Sequence, residues 1–205
     1  MEITKIKKNA KDYGIPIIRT ESHKYLEALV KRTQPKRILE IGTAVGYSGI
    51  TMLKASPEAT LLTIEHNPES VKIANKNFAK QGLKNRATVL FGDCLVELAK
   101  MVASKEFDGY FDFIFLDGPK AQYDMMLNSL VMLLAKNGTF VADNVLFRGY
   151  VSGETTAPTR RYKTIIKRLN EFIENCKNHQ FLTEFKLENI EDGIVFAKKV
   201  SNEKQ

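Results

Sequence analysis

The sequence predicts an α/β fold: a doubly wound, mostly parallel seven-stranded sheet ending in an antiparallel C-terminal hairpin. Three observations predict it. Five short apolar runs alternate with helical periods between residues 37 and 143. Four of those runs in succession end in a carboxylate, at Glu65, Asp93, Asp117 and Asp143. The last two runs, 181–187 and 193–199, have only an acidic turn between them and so pair as a hairpin at the sheet's edge.

The 205 residues fit one domain, 1–205, with a basic N-terminal segment at 1–19. Hydrophobic residues at 43% and charged residues at 27% exclude a disordered chain. No apolar run approaches the ~20 residues that span a bilayer, and Met1 to Lys11 has no apolar stretch behind it. No membrane association and a cytoplasmic location are therefore expected. Cys94 and Cys176 form no C-x-x-C motif and read as buried free thiols. The net charge of +7 permits an anionic partner such as RNA.

In order along the chain, Gly14-Ile15-Pro16-Ile17-Ile18 reads as extended, and residues 21–33 as a helix with Leu26, Leu29 and Val30 on one face. A strand at 37–41 breaks at Gly42, and a helix near 47–55 follows Gly46 and ends before Pro57. The strand 61–64 ends at Glu65. Asn67-Pro68 is a cap and first-position pair for a helix carrying Val71, Ala74 and Phe78, stopped by Gly82. The strand 87–91 runs to Gly92-Asp93, with a helix at 94–103 after it. The strand 111–116 runs to Asp117, and a helix near 121–135 stops at a Lys136-Asn137-Gly138 turn. The strand 139–142 ends at Asp143-Asn144. An irregular segment, 145–158, leads to a basic amphipathic helix at 159–175.

A strand that turns at glycines into a helix leaves free N–H groups and a positive dipole end at the sheet's C-terminal edge, where ligands bind in such folds. Any one of the four carboxylates alone reads as a helix cap. Their recurrence on one edge favours a site. Glu65 lies 23 residues beyond Gly42 (65 − 42), near the spacing at which an acid meets ribose hydroxyls, so an adenosine-containing cofactor is favoured. The turn Gly42-x-x-x-Gly46 is not the dinucleotide fingerprint, no tyrosine has Lys four residues on, and Gly-Lys-[Ser/Thr] is absent. These disfavour a dehydrogenase and exclude a P-loop.

Glu40-x-Gly42-x-x-x-Gly46-Tyr47-Ser48 resembles the first motif of class I S-adenosylmethionine-dependent methyltransferases, in the form typical of the catechol O-methyltransferase-like family. The resemblance extends through Glu65, Gly92-Asp93, Asp117-x-x-Lys120 and Asp143-Asn144-Val145. It implies a Rossmann-like methyltransferase fold and S-adenosylmethionine as cofactor. It also implies that Gly42 and Ser48 hold the methionine end, Glu65 the ribose and Asp93 the adenine side, with Ile18 and Asp117 contributing. The same resemblance makes Asp117, Asp143 and Asn144 metal ligands and Lys120 the general base beside Asp117, with a metal depressing the lysine's pKa. Read from the residues alone, three oxygen donors with no His or Cys suit Mg²⁺ or another hard cation; a pair of caps with a turn Asn is the alternative. Relatives carry an extra helix before the Gly14-to-Ile18 loop, whereas here only a short basic segment is expected. Family members are often homodimers.

Two acceptors present neighbouring oxygens to such a metal. Asp143-Asn144-Val145-Leu146-Phe147-Arg148-Gly149 is similar to the bacterial branch that converts 5-hydroxyuridine to 5-methoxyuridine in the tRNA anticodon. The alternative acceptor is a small catechol-like phenol, and the non-enzyme alternative an RNA- or nucleotide-binding protein on the same scaffold. Arg148, Arg160 and Arg161, with Lys163, Lys167 and Arg168, are candidates for phosphate contacts, or else a solvated helix face. Tyr123, Phe147 and Tyr150 are candidates for stacking on a base, with packing the alternative. The three histidines form no triad.

Overall fold

The computed structural model describes residues 3–12, 14–153 and 159–200; the side chains of Lys11, Arg160 and Arg161 lie outside the description. The expected α/β architecture is found. Seven strands stand in the order β3-β2-β1-β4-β5-β7-β6, mostly parallel, with the antiparallel pair at one edge. No helix among the described residues is long and apolar enough to cross a membrane. The chain's internal contacts divide it into two compact units, Met1–Glu97 and Leu98–Gln205.

The first unit carries α1 (Ile3–Asp12), α2 (Thr20–Thr33), β1 (Arg37–Ile41), α3 (Tyr47–Ala55), β2 (Thr60–Glu65), α4 (Pro68–Lys80) and β3 (Ala87–Phe91), and opens α5 (Cys94–Ser104). β1, β2 and β3 are parallel and in register, Ile38 beside Leu61 and Leu61 beside Ala87. Ile38, Leu39, Ile50, Leu53 and Phe78 are buried among them. Asn67 caps α4 as its sequence predicts, its Oδ1 accepting from the N–H groups of Glu69 and Ser70. The Arg86 guanidinium donates to four carbonyls, of Leu53, Ser56, Pro57 and Ala59 at 2.6–3.2 Å, and so ties the α3–β2 connection to the start of β3.

The expected absence of an N-terminal helix is corrected. α1 forms, and Ile6 and Ala10, four residues apart on one face, are buried. A ten-residue helix of mostly lysine and polar residues is marginal alone and draws its stability from packing that face, here against α3.

The second unit carries β4 (Phe111–Leu116), α6 (Tyr123–Leu133), β5 (Leu134–Asp143), α7 (Arg160–Asn178), β6 (Leu182–Glu188) and β7 (Ile194–Lys199). β4 and β5 are parallel, and β7 is antiparallel to both β5 and β6. Phe113, Phe115, Phe140 and Phe172 fill its core, and α7 packs on α6, with the rings of Tyr123 and Phe172 edge-on at 5.2 Å. The predicted Lys136-Asn137-Gly138 turn does not separate α6 from β5. The strand begins at Leu134, directly after the helix, and absorbs the turn residues as a bulge. Phe111 pairs with Leu134 but Phe113 with Thr139, and Asn137 takes up the excess at φ +61°.

Candidate active site

In the first unit β1 ends at Ile41 and the chain turns through Gly42-Thr43-Ala44-Val45 into α3. Ala44 and Gly46 lie in the left-handed region at φ +46° and +80°. A Cβ on Gly46 would also come within 3.1 Å of the Phe78 ring, so the position requires glycine on two counts. Glu65, at the end of β2, secures the turn from outside. Its Oε2 accepts from the Ala44 N–H and its Oε1 from the Asn67 N–H, both at 2.9 Å.

Beneath the turn lies a buried carboxylate that the sequence motif contained but whose partners it did not reveal. Glu40 has no exposed surface. It accepts from the Ser48 hydroxyl and from Thr63 Oγ1 at 2.7 Å, and Thr43 and Thr63 exchange a further bond at 2.6 Å. Ser48, expected at the methionine end of a cofactor, thus directs its hydroxyl into this network and is itself buried. Asp93 does what an isolated Asp at a strand end does: its Oδ1 accepts from Leu95 and Val96 and caps α5. Ile18 is buried, and Gly42 donates to Ile64.

In the second unit Leu116 pairs with Ala142, so Asp117 and Asp143 leave neighbouring parallel strands at the same level. Asp143 is fully buried and its Oδ1 accepts from the Asn144 N–H at 2.8 Å. Asn144 itself sits at φ +59°. Lys120, in a short 3₁₀ turn at Lys120–Gln122, donates to Asp117 Oδ1 and to Tyr123 Oη, both at 2.7 Å. Burial works against its charge, but the Asp117 carboxylate and Tyr123 oxygen outweigh it, and the ammonium pKa is pushed up. The protein's own groups therefore do the opposite of the depression expected from a metal. Burial likewise pushes the Tyr123 phenol up, with Lys120 opposing.

Tyr123 is not available for stacking. It is fully buried, and its hydroxyl lies 3.0 Å from the Asp143 carbonyl and 3.2 Å from that of Leu116. Phe147 and Tyr150 are half-buried and form a cluster with Tyr162, the rings of Phe147 and Tyr162 stacked at 5.4 Å and those of Tyr150 and Tyr162 edge-on at 5.6 Å. Arg148 is exposed beside them. Arg168 is instead committed to the Ala121 carbonyl at 2.9 Å, and Lys167 lies 3.6 Å from Glu171.

The loop after Asn144 is held by residues that sequence reasoning missed. Leu146 donates to the Asp192 carbonyl at 2.7 Å, Arg148 N–H to Asp192 Oδ1 at 3.1 Å, and Val145 to Gly193 at 3.1 Å. Phe147, Arg148 and Gly149 are three consecutive left-handed residues, at φ +46°, +59° and +74°. Such a run is costly by itself, and the Asp192-Gly193 turn holds it through Val145, Leu146 and Arg148. Asp192-Gly193 in an acidic hairpin turn was the only available signal, and it reads equally as ordinary turn chemistry.

An oxygen-only set of two carboxylates and an amide, on adjoining strand ends, fits a hard divalent cation such as Mg²⁺. Among the described residues no group of three or more His, Cys, Asp or Glu is placed to hold a metal, so the fit depends on including Asn144.

Residues 2–200 match the O-methyltransferase family model. A catechol O-methyltransferase from Niastella koreensis is 34% identical over 146 residues, 70% of this chain and 65% of that protein, just under two thirds of its length. A Staphylococcus aureus structure provisionally assigned as a caffeoyl-CoA O-methyltransferase superposes with a TM-score of 0.87 at 27% identity, over 97% of this chain and 92% of that one. The SAH-bound methyltransferase PaMTH1 of Podospora anserina superposes at 0.77 with 26% identity, over 90% and 80%.

Proposed function

The chain belongs to the O-methyltransferase family, and on that premise we propose that it moves a methyl group from S-adenosylmethionine to one of two neighbouring ring oxygens, with Mg²⁺ held by Asp117, Asp143 and Asn144. The observation that carries this reading is the pair of carboxylates, Asp117 and Asp143, at one level on adjoining strands with Lys120 bonded to the first. A divalent cation held by Asp117, Asp143 and Asn144 would supply the positive charge that lowers the pKa of the acceptor hydroxyl. In the transfer the sulfonium C–S bond breaks as the O–CH₃ bond forms, and the acceptor proton leaves to a base. Lys120 is the candidate base: a cation held at Asp117 would draw on the carboxylate that otherwise raises the lysine's pKa, and its place between Asp117 and Tyr123 fixes its orientation. The turn Gly42–Ser48, with Glu65 behind it, is the candidate cradle for the cofactor.

For the acceptor, the reading is 5-hydroxyuridine in the tRNA anticodon. Stacked Phe147 and Tyr162 offer an aromatic wall for a flat base, and Arg148 and Lys163 are exposed near it in sequence. Arg160 and Arg161 are proposed to meet phosphates, in line with the net charge of +7. A second reading, a small catechol-like phenol, is favoured by the names of the relatives, which act on catechol or carry a caffeoyl-CoA assignment.

The two separate by incubation with labelled cofactor, Mg²⁺ and either tRNA bearing 5-hydroxyuridine or a catechol. Label in the tRNA at a kcat/KM at least 100-fold above that for catechol is expected. Label in catechol alone would replace the first acceptor by the second, and label in neither, with cofactor bound, would overturn the vicinal-oxygen reading.

A further inference from the structure

The second unit contains a cavity of about 670 Å³, within the size range of small-molecule sites. It lies at the opposite ends of the strands that carry Asp117 and Asp143: Asp108 precedes β4, Lys136 lies in the opening bulge of β5, and Lys199 closes the antiparallel β7. Six residues of β4 separate the two ends by about 17–20 Å of strand rise.

We propose that this cavity binds a small organic anion with a flat apolar body. Lys199 carries the argument. It is only 6% exposed, and its ammonium donates to the carbonyls of Leu134 at 2.7 Å and Met132 at 3.4 Å. Those partners are neutral, no ion pair of Lys199 is found among the described residues, and the charge of Asp108 offsets its burial only in part. Buried lysines are ordinarily paired, and burial lowers the pKa of this one. Lys136 adds a second positive group, while Asp108 is the single acid in the lining.

His179 is a wall of the cavity rather than a charge. The Phe181 N–H donates to its Nδ1 at 3.2 Å, so in the neutral ring the proton sits on Nε2, which faces Asn128 Oδ1 at 3.2 Å. Phe181 and Val131 supply the apolar lining. Two lysines disfavour a cation, and a metal would need more carboxylates than Asp108 provides. An anionic head toward Lys199 and Lys136, with a ring against Phe181 and Val131, satisfies both halves of the lining. This inference is independent of the methyl-transfer reading.

The test uses 1-naphthoate as probe and 1-naphthamide as its uncharged counterpart, by calorimetry and methyl NMR on the full chain. Saturable naphthoate binding, at least ten-fold tighter than the amide, is expected to shift the Val131 methyls and leave those of Val145 unmoved. Lys199→Met should weaken it at least ten-fold. Since Lys199 also secures two carbonyls, the surface variant Lys136→Met serves beside it and should weaken binding at least three-fold. Equal affinity for the amide, wild-type affinity in Lys136→Met, or shifts at Val145 in place of Val131 would overturn the proposal.

Discussion

The Glu65 carboxylate closes on the Ala44 N–H at 2.9 Å, across 21 residues of sequence, and its other oxygen takes the Asn67 N–H. One side chain thus fixes both the left-handed residue of the glycine turn and the entry to α4. Glu65→Gln keeps the shape but replaces one acceptor oxygen by an N–H₂ that opposes a backbone donor. A net loss of about 1–3 kcal/mol is expected in stability, together with at least ten-fold weaker binding of S-adenosylhomocysteine by calorimetry. Unchanged affinity would remove Glu65 from the cofactor cradle.

Asp143→Asn retains an acceptor for the Asn144 N–H while removing the charge a cation needs. Turnover should fall at least 100-fold, with cofactor affinity within two-fold of the wild type. The unsubstituted protein in excess EDTA should lose turnover to the same extent and regain it with Mg²⁺. Full turnover in EDTA would sink the cation's role.

Gly193 packs where a Cβ would lie 2.3 Å from Leu146 Cγ, and its φ is +78°. Gly193→Ala should therefore displace the 144–149 loop and lower kcat at least ten-fold while the chain stays folded at the assay temperature. Leu146→Ala in the same chain relieves the clash but not the backbone strain, so partial recovery is expected. Additive losses in the double variant would show that the two residues do not act through this contact.

Arg86 holds four carbonyls with one planar fork. Lysine keeps the charge but cannot reproduce that geometry. Arg86→Lys should cost about 1.5–3 kcal/mol, read as a lowered midpoint in urea with an unchanged slope. A midpoint within error of the wild type would mean that the carbonyls are served equally well by water.

The alternation of apolar runs, the glycine turn after Ile41, the capping pair Asn67-Pro68 and the order of acidic strand ends were all legible in the sequence. Each is a local signal, decided by side-chain period or by the backbone preference of a single residue. The sequence by itself could not assign the carboxylates their partners. Glu65 secures a turn, Asp93 caps a helix, Asp117 takes a lysine and Asp143 is buried against its own neighbour. Nor could it show that Tyr123 is sealed beneath Lys120, that Ile6 and Ala10 are enough to form α1, or that Asp192 reaches Arg148 across 44 residues. Those outcomes depend on which distant donors and acceptors the strand register brings within 3 Å. A hydrogen bond is won or lost at that range, and only the folded chain sets it.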